Sequence, residues 1–88
     1  MKHINIKITG RVQGVFFCMS AKNIAKKLSI NGYAKNVTDG SLYIEAEGNE
    51  KSIDRFVSWC KIGPRLASIK NIEKSNSKIK NYTSFKII

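Results

Sequence analysis

The 88-residue sequence predicts an α+β sandwich, with two helices on one face of an antiparallel sheet in the order β-α-β-β-α-β and a short strand at the C-terminus. Three observations lead there. Ala21, Ile24, Ala25 and Leu28, and again Ile53, Phe56, Val57 and Cys60, stand at i, i+3, i+4 and i+7, the single apolar stripe of a helix resting on a sheet. The stretches around them alternate apolar and polar residues, as half-buried strands do. Asp39-Gly40 lies between two β-prone runs, where it closes a hairpin.

Taken in order, Ile4, Ile6 and Ile8 against Asn5, Lys7 and Thr9 make a strand over 3–9. A glycine-bracketed loop follows at Gly10, Arg11, Val12, Gln13, Gly14 and Val15. The first helix runs from Phe17 to Leu28 with Lys22, Lys26 and Lys27 off its stripe, and Asn31-Gly32 reads as its stop. Strands at 33–37 and 41–47 send Leu42, Ile44 and Ala46 to the core. Asn49 caps the second helix, Glu50 complements its N-terminus, and Trp59 flanks its stripe. Gly63-Pro64 ends that helix. In the strand at 66–74, Ile69 and Ile72 are three apart, a spacing that a bulge would reconcile. A polar connection, KSNSKIKN, leads to a terminal strand with Phe85 and Ile87 on one face. No repeat or linker interrupts the chain, so a single domain over 1–88 is expected. This element order is the ferredoxin-like sandwich. In that connectivity the first helix begins, and the second ends, at the edge that carries the 10–15 loop.

Composition sets the limits. At 42% hydrophobic and 25% charged residues the chain is ordinary for a globular protein. No apolar run nears the roughly 18 residues of a transmembrane helix, so no membrane partner is expected. The alternating N-terminus is unlike a signal or transit peptide, which makes a cytoplasmic location the expectation. Sixteen Lys and Arg against six Asp and Glu give a formal charge of +10, and residues 61–88 hold seven of those cations against Glu73 alone. That balance favours anionic partners, although scattered lysines also serve solubility. Cys18 and Cys60 lack metal-ligand spacing, and His3 has no Cys, Asp or Glu near it in sequence, so neither metal nor cofactor is expected.

A loop with two glycines running into a helix N-terminus can turn several N–H groups towards an anion. The spacing matches neither a Walker loop nor G-x-G-x-x-G. The whole chain offers more: GRVQGVFF, then GYAKNVTDGSLYIEAEG, then RFVSWCKIGPRLASIKNIE. In this order they resemble the acylphosphatase family, whose signature reads approximately G-x-V-Q-G-V-x-F-R followed by N-x-x-D-G-[ST]-[VL]. The resemblance spans essentially all 88 residues. It implies a small, metal-free hydrolase of the carboxyl-phosphate bond, with an acyl phosphate or inorganic phosphate as partner; apart from the resemblance, a monomer is expected. It also implies that the backbone of Gly10, Arg11, Val12, Gln13, Gly14 and Val15 cradles the phosphoryl group, and that Asn36 orients the attacking water.

One position departs from the pattern. Where the family has an arginine that forks onto the phosphoryl oxygens, this chain has Cys18. Asn36 and Cys18 are therefore the candidate catalytic positions, and weak or absent turnover is expected, because a thiol is a poor substitute for a guanidinium. Arg11 occupies a variable position of the pattern and is expected to point away. A thiolate phosphatase needs C-x₅-R, whereas Ile24 and Leu66 stand six residues after the two cysteines. Cys18 and Cys60 fall at the same edge, yet two reduced thiols are expected rather than a bridge. The alternatives are a phosphate-binding domain without catalysis, or an RNA-binding module. The latter needs exposed aromatics on the outer strand faces, where the sequence offers Asn5, Lys7 and Thr9, then Tyr43, Glu45 and Glu47. Acylphosphatase-like domains also serve inside larger maturation enzymes, but the length favours a free-standing protein.

Overall fold

Isoleucine at every second position makes β1 (Lys2–Arg11) the spine of the sheet in this computed structural model, which describes residues 1–88. Ile4, Ile6 and Ile8 are buried beneath the helices. On one side β1 pairs antiparallel with β3 (Leu42–Gly48), and on the other with β4 (Ser68–Asn76). β2 (Asn31–Asn36) pairs antiparallel with β3, giving the order β4-β1-β3-β2-β5. β5 (Phe85–Ile87) lies parallel to β2, with Gly32 opposite Phe85 and Ala34 opposite Ile87, so the five-stranded sheet is mixed rather than wholly antiparallel. The reason is geometric. β4 ends at the edge where β2 begins, with Asn76 opposite Ile4, so a strand added beyond β2 from that edge must run with it.

The expected bulge is present. Between Thr9 and Gly10 the β1–β4 register shifts, so that Thr9 faces Asn71 and Gly10 faces Ile69, with Lys70 as the extra residue. Ile69 and Ile72 can then both pack against the core. A Cβ on Gly10 would run into the Ser68 carbonyl, which explains glycine at the bulge.

Both helices lie on one face. α1 (Phe17–Lys27) buries Phe17, Ala21 and Ala25, with Ile24 and Leu28 at the margin. It does not stop at Asn31-Gly32. Ser29 takes a left-handed φ of 57°, its N–H donates to the Lys26 carbonyl (3.2 Å), and the Ile30 N–H donates to Ala25 (2.8 Å). These two bonds are a Schellman stop with serine where glycine is usual. Asn31 and Gly32 already belong to β2, where a Cβ on Gly32 would strike the Glu45 carbonyl.

α2 (Glu50–Cys60) begins as predicted, with the Asn49 side chain accepting the Ser52 N–H at 2.8 Å. Ile53, Phe56, Val57 and Cys60 are all buried. Its C-terminal end meets the start of α1: the Trp59 ring stands edge-on to Phe17 at 5.3 Å, and Gly63 lies against the same Phe17 ring. No helix is long and apolar enough to cross a membrane.

The outer face of the sheet is covered in part. Residues 77–84 cross it, and the Glu47 carboxylate accepts the backbone N–H groups of both Lys80 and Tyr82 (2.9 Å for Tyr82). Glu45 accepts hydroxyls from Tyr33 (2.8 Å), Tyr43 (2.9 Å) and Tyr82 (3.0 Å), and the Lys80 ammonium is 3.0 Å away. His3 is not the isolated residue that its sequence neighbours suggest. Its Nδ1 lies 2.8 Å from Glu47 and its Nε2 lies 3.0 Å from Glu45, because the antiparallel register puts the start of β1 against the end of β3. Burial alone would raise the Glu45 carboxyl, but its hydrogen bonds from Lys80 and the three tyrosines outweigh that and hold it at about 2.

Candidate active site

At the opposite edge the chain leaves β1 and turns towards α1. β1 extends through Gly10 and Arg11, which register against Ile69 and Ser68, so the free loop starts at Val12 rather than at Gly10. Val12 and Val15 are buried and pin the loop to the core. Between and after them the chain bends sharply, with Gly14 at φ 73° and Phe16 in the left-handed region at φ 62°, ψ 27°. This turn starts α1 without a side-chain cap, and no acid stands in its first turn.

One consequence runs through the whole segment. None of the backbone N–H groups from Val12 through Met19 donates to a backbone carbonyl, and no side chain accepts from them. The first N–H groups of a helix have no partner within it, so those of Phe17, Cys18 and Met19 are free to meet a ligand or water. A bend of mixed handedness leading into a helix N-terminus can turn such groups towards an anion, at the positive end of the helix dipole.

The hairpin beyond β2 borders one flank of the loop. Gln13 Nε2 donates to the carbonyls of Val37 (2.7 Å) and Ser41 (2.9 Å), tying the loop to the turn that follows Asn36. That turn is fixed in its own right. Gly40 takes φ 91°, and the Asp39 carboxylate accepts the backbone N–H (2.9 Å) and the hydroxyl of Ser41. These two bonds hold the exposed Asp39 carboxyl below the usual carboxylate range. Asn36, the last residue of β2, brings its side-chain oxygen to 3.7 Å from the Cys18 thiol. The two candidate catalytic positions, 18 residues apart in sequence, therefore touch.

Cys18 is half-buried, and burial pushes its thiol up from the ordinary value. At neutral pH it is a neutral, weak donor to Asn36. Arg11 is exposed at the end of β1, on the side where β1 meets β4. Cys60 is fully buried on α2, its thiol pushed far up by desolvation, and both cysteines are free. No group of three or more His, Cys, Asp or Glu side chains is arranged to hold a metal ion. The His3–Glu45–Glu47 cluster sits at the other end of the sheet from the loop.

In the sequence Gln13 reads as one more backbone amide of the loop. The role of its side chain depends on carbonyls 24 and 28 residues away, and no local signal carries that information.

Acylphosphatase from Bacillus subtilis superimposes with a TM-score of 0.97 at 32% identity, covering 100% of this chain and 99% of that one. Full-length HypF, in its phosphate- and nucleotide-bound form, matches at TM-score 0.93 and 39% identity, but over only 12% of its own chain. The family model described as Acylphosphatase matches residues 4–87, and the chain belongs to the acylphosphatase family. Among curated relatives, the Archaeoglobus fulgidus acylphosphatase is 42% identical over 84 residues, covering 96% of this chain and 94% of that protein.

Proposed function

We propose that this chain acts on the carboxyl-phosphate bond of acyl phosphates, and that Cys18 makes it a slow enzyme. The observation that carries the reading is the unbroken run of unpartnered amides from Val12 to Met19 with the Asn36 side chain beside it. Amides from this run hold the phosphoryl oxygens. The Asn36 carboxamide orients a water on the hairpin flank. The water oxygen bonds to phosphorus as the bond from phosphorus to the carboxylate oxygen breaks, and the electron pair leaves with the carboxylate. The proton from water passes to the phosphate product and solvent. A carboxylate is a good leaving group, so positioning and electrostatic stabilisation carry the chemistry, and no covalent intermediate is required.

The step lacks a cation on the phosphoryl group. The amides and the start of α1 supply partial charges, whereas Cys18 supplies a neutral thiol where an arginine would fork onto two oxygens. An arginine that stabilises phosphoryl-transfer charge contributes roughly 10³–10⁵ in rate elsewhere. We expect Cys18→Arg to raise benzoyl phosphate hydrolysis by at least about 10²-fold. Asn36→Ala in that background should abolish most of the gain. An unchanged rate in Cys18→Arg would overturn the assignment of position 18 to the phosphoryl group.

The same neutral thiol supports a second reading, a domain that binds phosphate or an acyl phosphate without useful turnover. Amide chemical shifts of 12–19 that move with inorganic phosphate, alongside undetectable hydrolysis, would establish it. The RNA-binding reading is weaker. The outer face that would receive bases buries two carboxylates and is crossed by Lys80 and Tyr82.

A further inference from the structure

Four large apolar side chains stand in solvent at the edge that carries the loop: Phe16 (75% exposed), Met19 (53%), Ile62 (76%) and Leu66 (60%). Elsewhere the exposed large apolar residues are Met1, Ile87 and Ile88 at the chain ends, and Ile79 in the crossing segment. Single exposed apolar residues are unremarkable. Four from two segments that meet at a candidate site call for an explanation.

The fold brings those segments together. Phe16 closes the loop, and Met19 lies in the first turn of α1 directly after Cys18. Ile62 and Leu66 belong to the turn between α2 and β4. That turn packs on the start of α1 through Gly63 and Phe17, and it leads into Ser68, the partner of Arg11. The loop thus has two unlike flanks. On one stand Asn36 and the hairpin, joined to the loop through Gln13 and Cys18. On the other stands the 61–67 turn with its two apolar side chains.

In-line displacement sets the leaving group opposite the attacking water. With water held at Asn36, the departing carboxylate, and the acyl group it carries, points away from the hairpin and towards the 61–67 flank. We propose that Phe16, Met19, Ile62 and Leu66 form an acyl-group subsite, and that the preferred substrates are phosphate anhydrides of apolar carboxylic acids, aromatic or branched, rather than of small acids such as acetate. The inference rests on the acylphosphatase reading given above. The Coulombic part of recognition stays with the phosphoryl group, and the rim selects by the apolar area it covers.

The test compares kcat/KM for benzoyl phosphate and acetyl phosphate in the native chain and in an Ile62→Ser/Leu66→Ser variant, each with and without Cys18→Arg. Calorimetry of phenylphosphonate against methylphosphonate runs beside it. Both substituted positions are exposed, so the urea midpoint should be preserved. The native chain should favour benzoyl phosphate, and the variant should reduce that preference about tenfold, the scale on which an apolar contact discriminates. Hydrolysis of both substrates with an unchanged ratio would overturn the subsite and leave the hydrolase reading intact. If neither substrate is turned over in either background, the hydrolase reading fails and the phosphonates decide. A native preference for phenylphosphonate that the variant loses sustains the subsite, and equal affinity or no binding of the pair ends it.

Discussion

Gln13 and Cys18 show how single side chains join segments that sequence keeps apart. The Gln13 amide satisfies two carbonyls of the hairpin turn at once, so Gln13→Ala removes both bonds and loosens the loop from the element that carries Asn36. A loss of about 1–2 kcal/mol in urea unfolding is expected, with a fall in any acyl phosphate hydrolysis. Gln13→Glu should be worse, because a carboxylate cannot donate and would face two carbonyl oxygens. Cys18→Ser separates charge from hydrogen bonding. A hydroxyl can still donate to Asn36, so the serine variant should show no gain comparable to that of arginine in the same assay. The V-Q-G-V motif made these positions legible as belonging to a site. It could not show which atoms of Gln13 matter, since the partners come from long-range packing.

Glycine positions separate the elements by the kind of constraint they meet. At Gly32 the obstacle is backbone, the Glu45 carbonyl across the β2–β3 ladder, and it cannot move without breaking that ladder. At Gly40 a Cβ meets open space, and only the φ of 91° resists substitution. Gly40→Ala should therefore cost about 1 kcal/mol, and Gly32→Ala more than about 3 kcal/mol, measured by chemical denaturation. Asn49→Ala should cost about 1 kcal/mol through loss of the α2 cap. The cap, both apolar stripes, the hairpin and the bulge were all readable, because each is specified within a few residues. The end of α1 was not. Asn31-Gly32 is a strong local stop signal, but Gly32 is required by a strand neighbour, and the actual stop uses Ser29, an unremarkable residue in sequence.

For the molecule as a whole, alternation told which residues leave the core face but not what would cover the other side. Glu45 and Glu47 looked like solvated acids; in the fold they are buried at 5% and 1% exposure, and they hold down the crossing segment. Their depressed folded-state values set the sign of the pH dependence. The stabilisation they provide is complete above the ordinary carboxylate range and is lost as pH falls from about 4.5 towards about 2 for Glu45. Urea midpoints should therefore drop through this window in the native chain. In Glu45→Gln they should be lower at pH 6 and converge on native values near pH 2.

The Glu47 carboxylate also leaves a mark in time. The Lys80 and Tyr82 amides belong to no ladder, yet both end on a buried charge, so in deuterium exchange they should be slow amid fast neighbours at 77–79. Their common rate would report how often residues 77–84 lift off the sheet, a clock set by one side chain rather than by secondary structure.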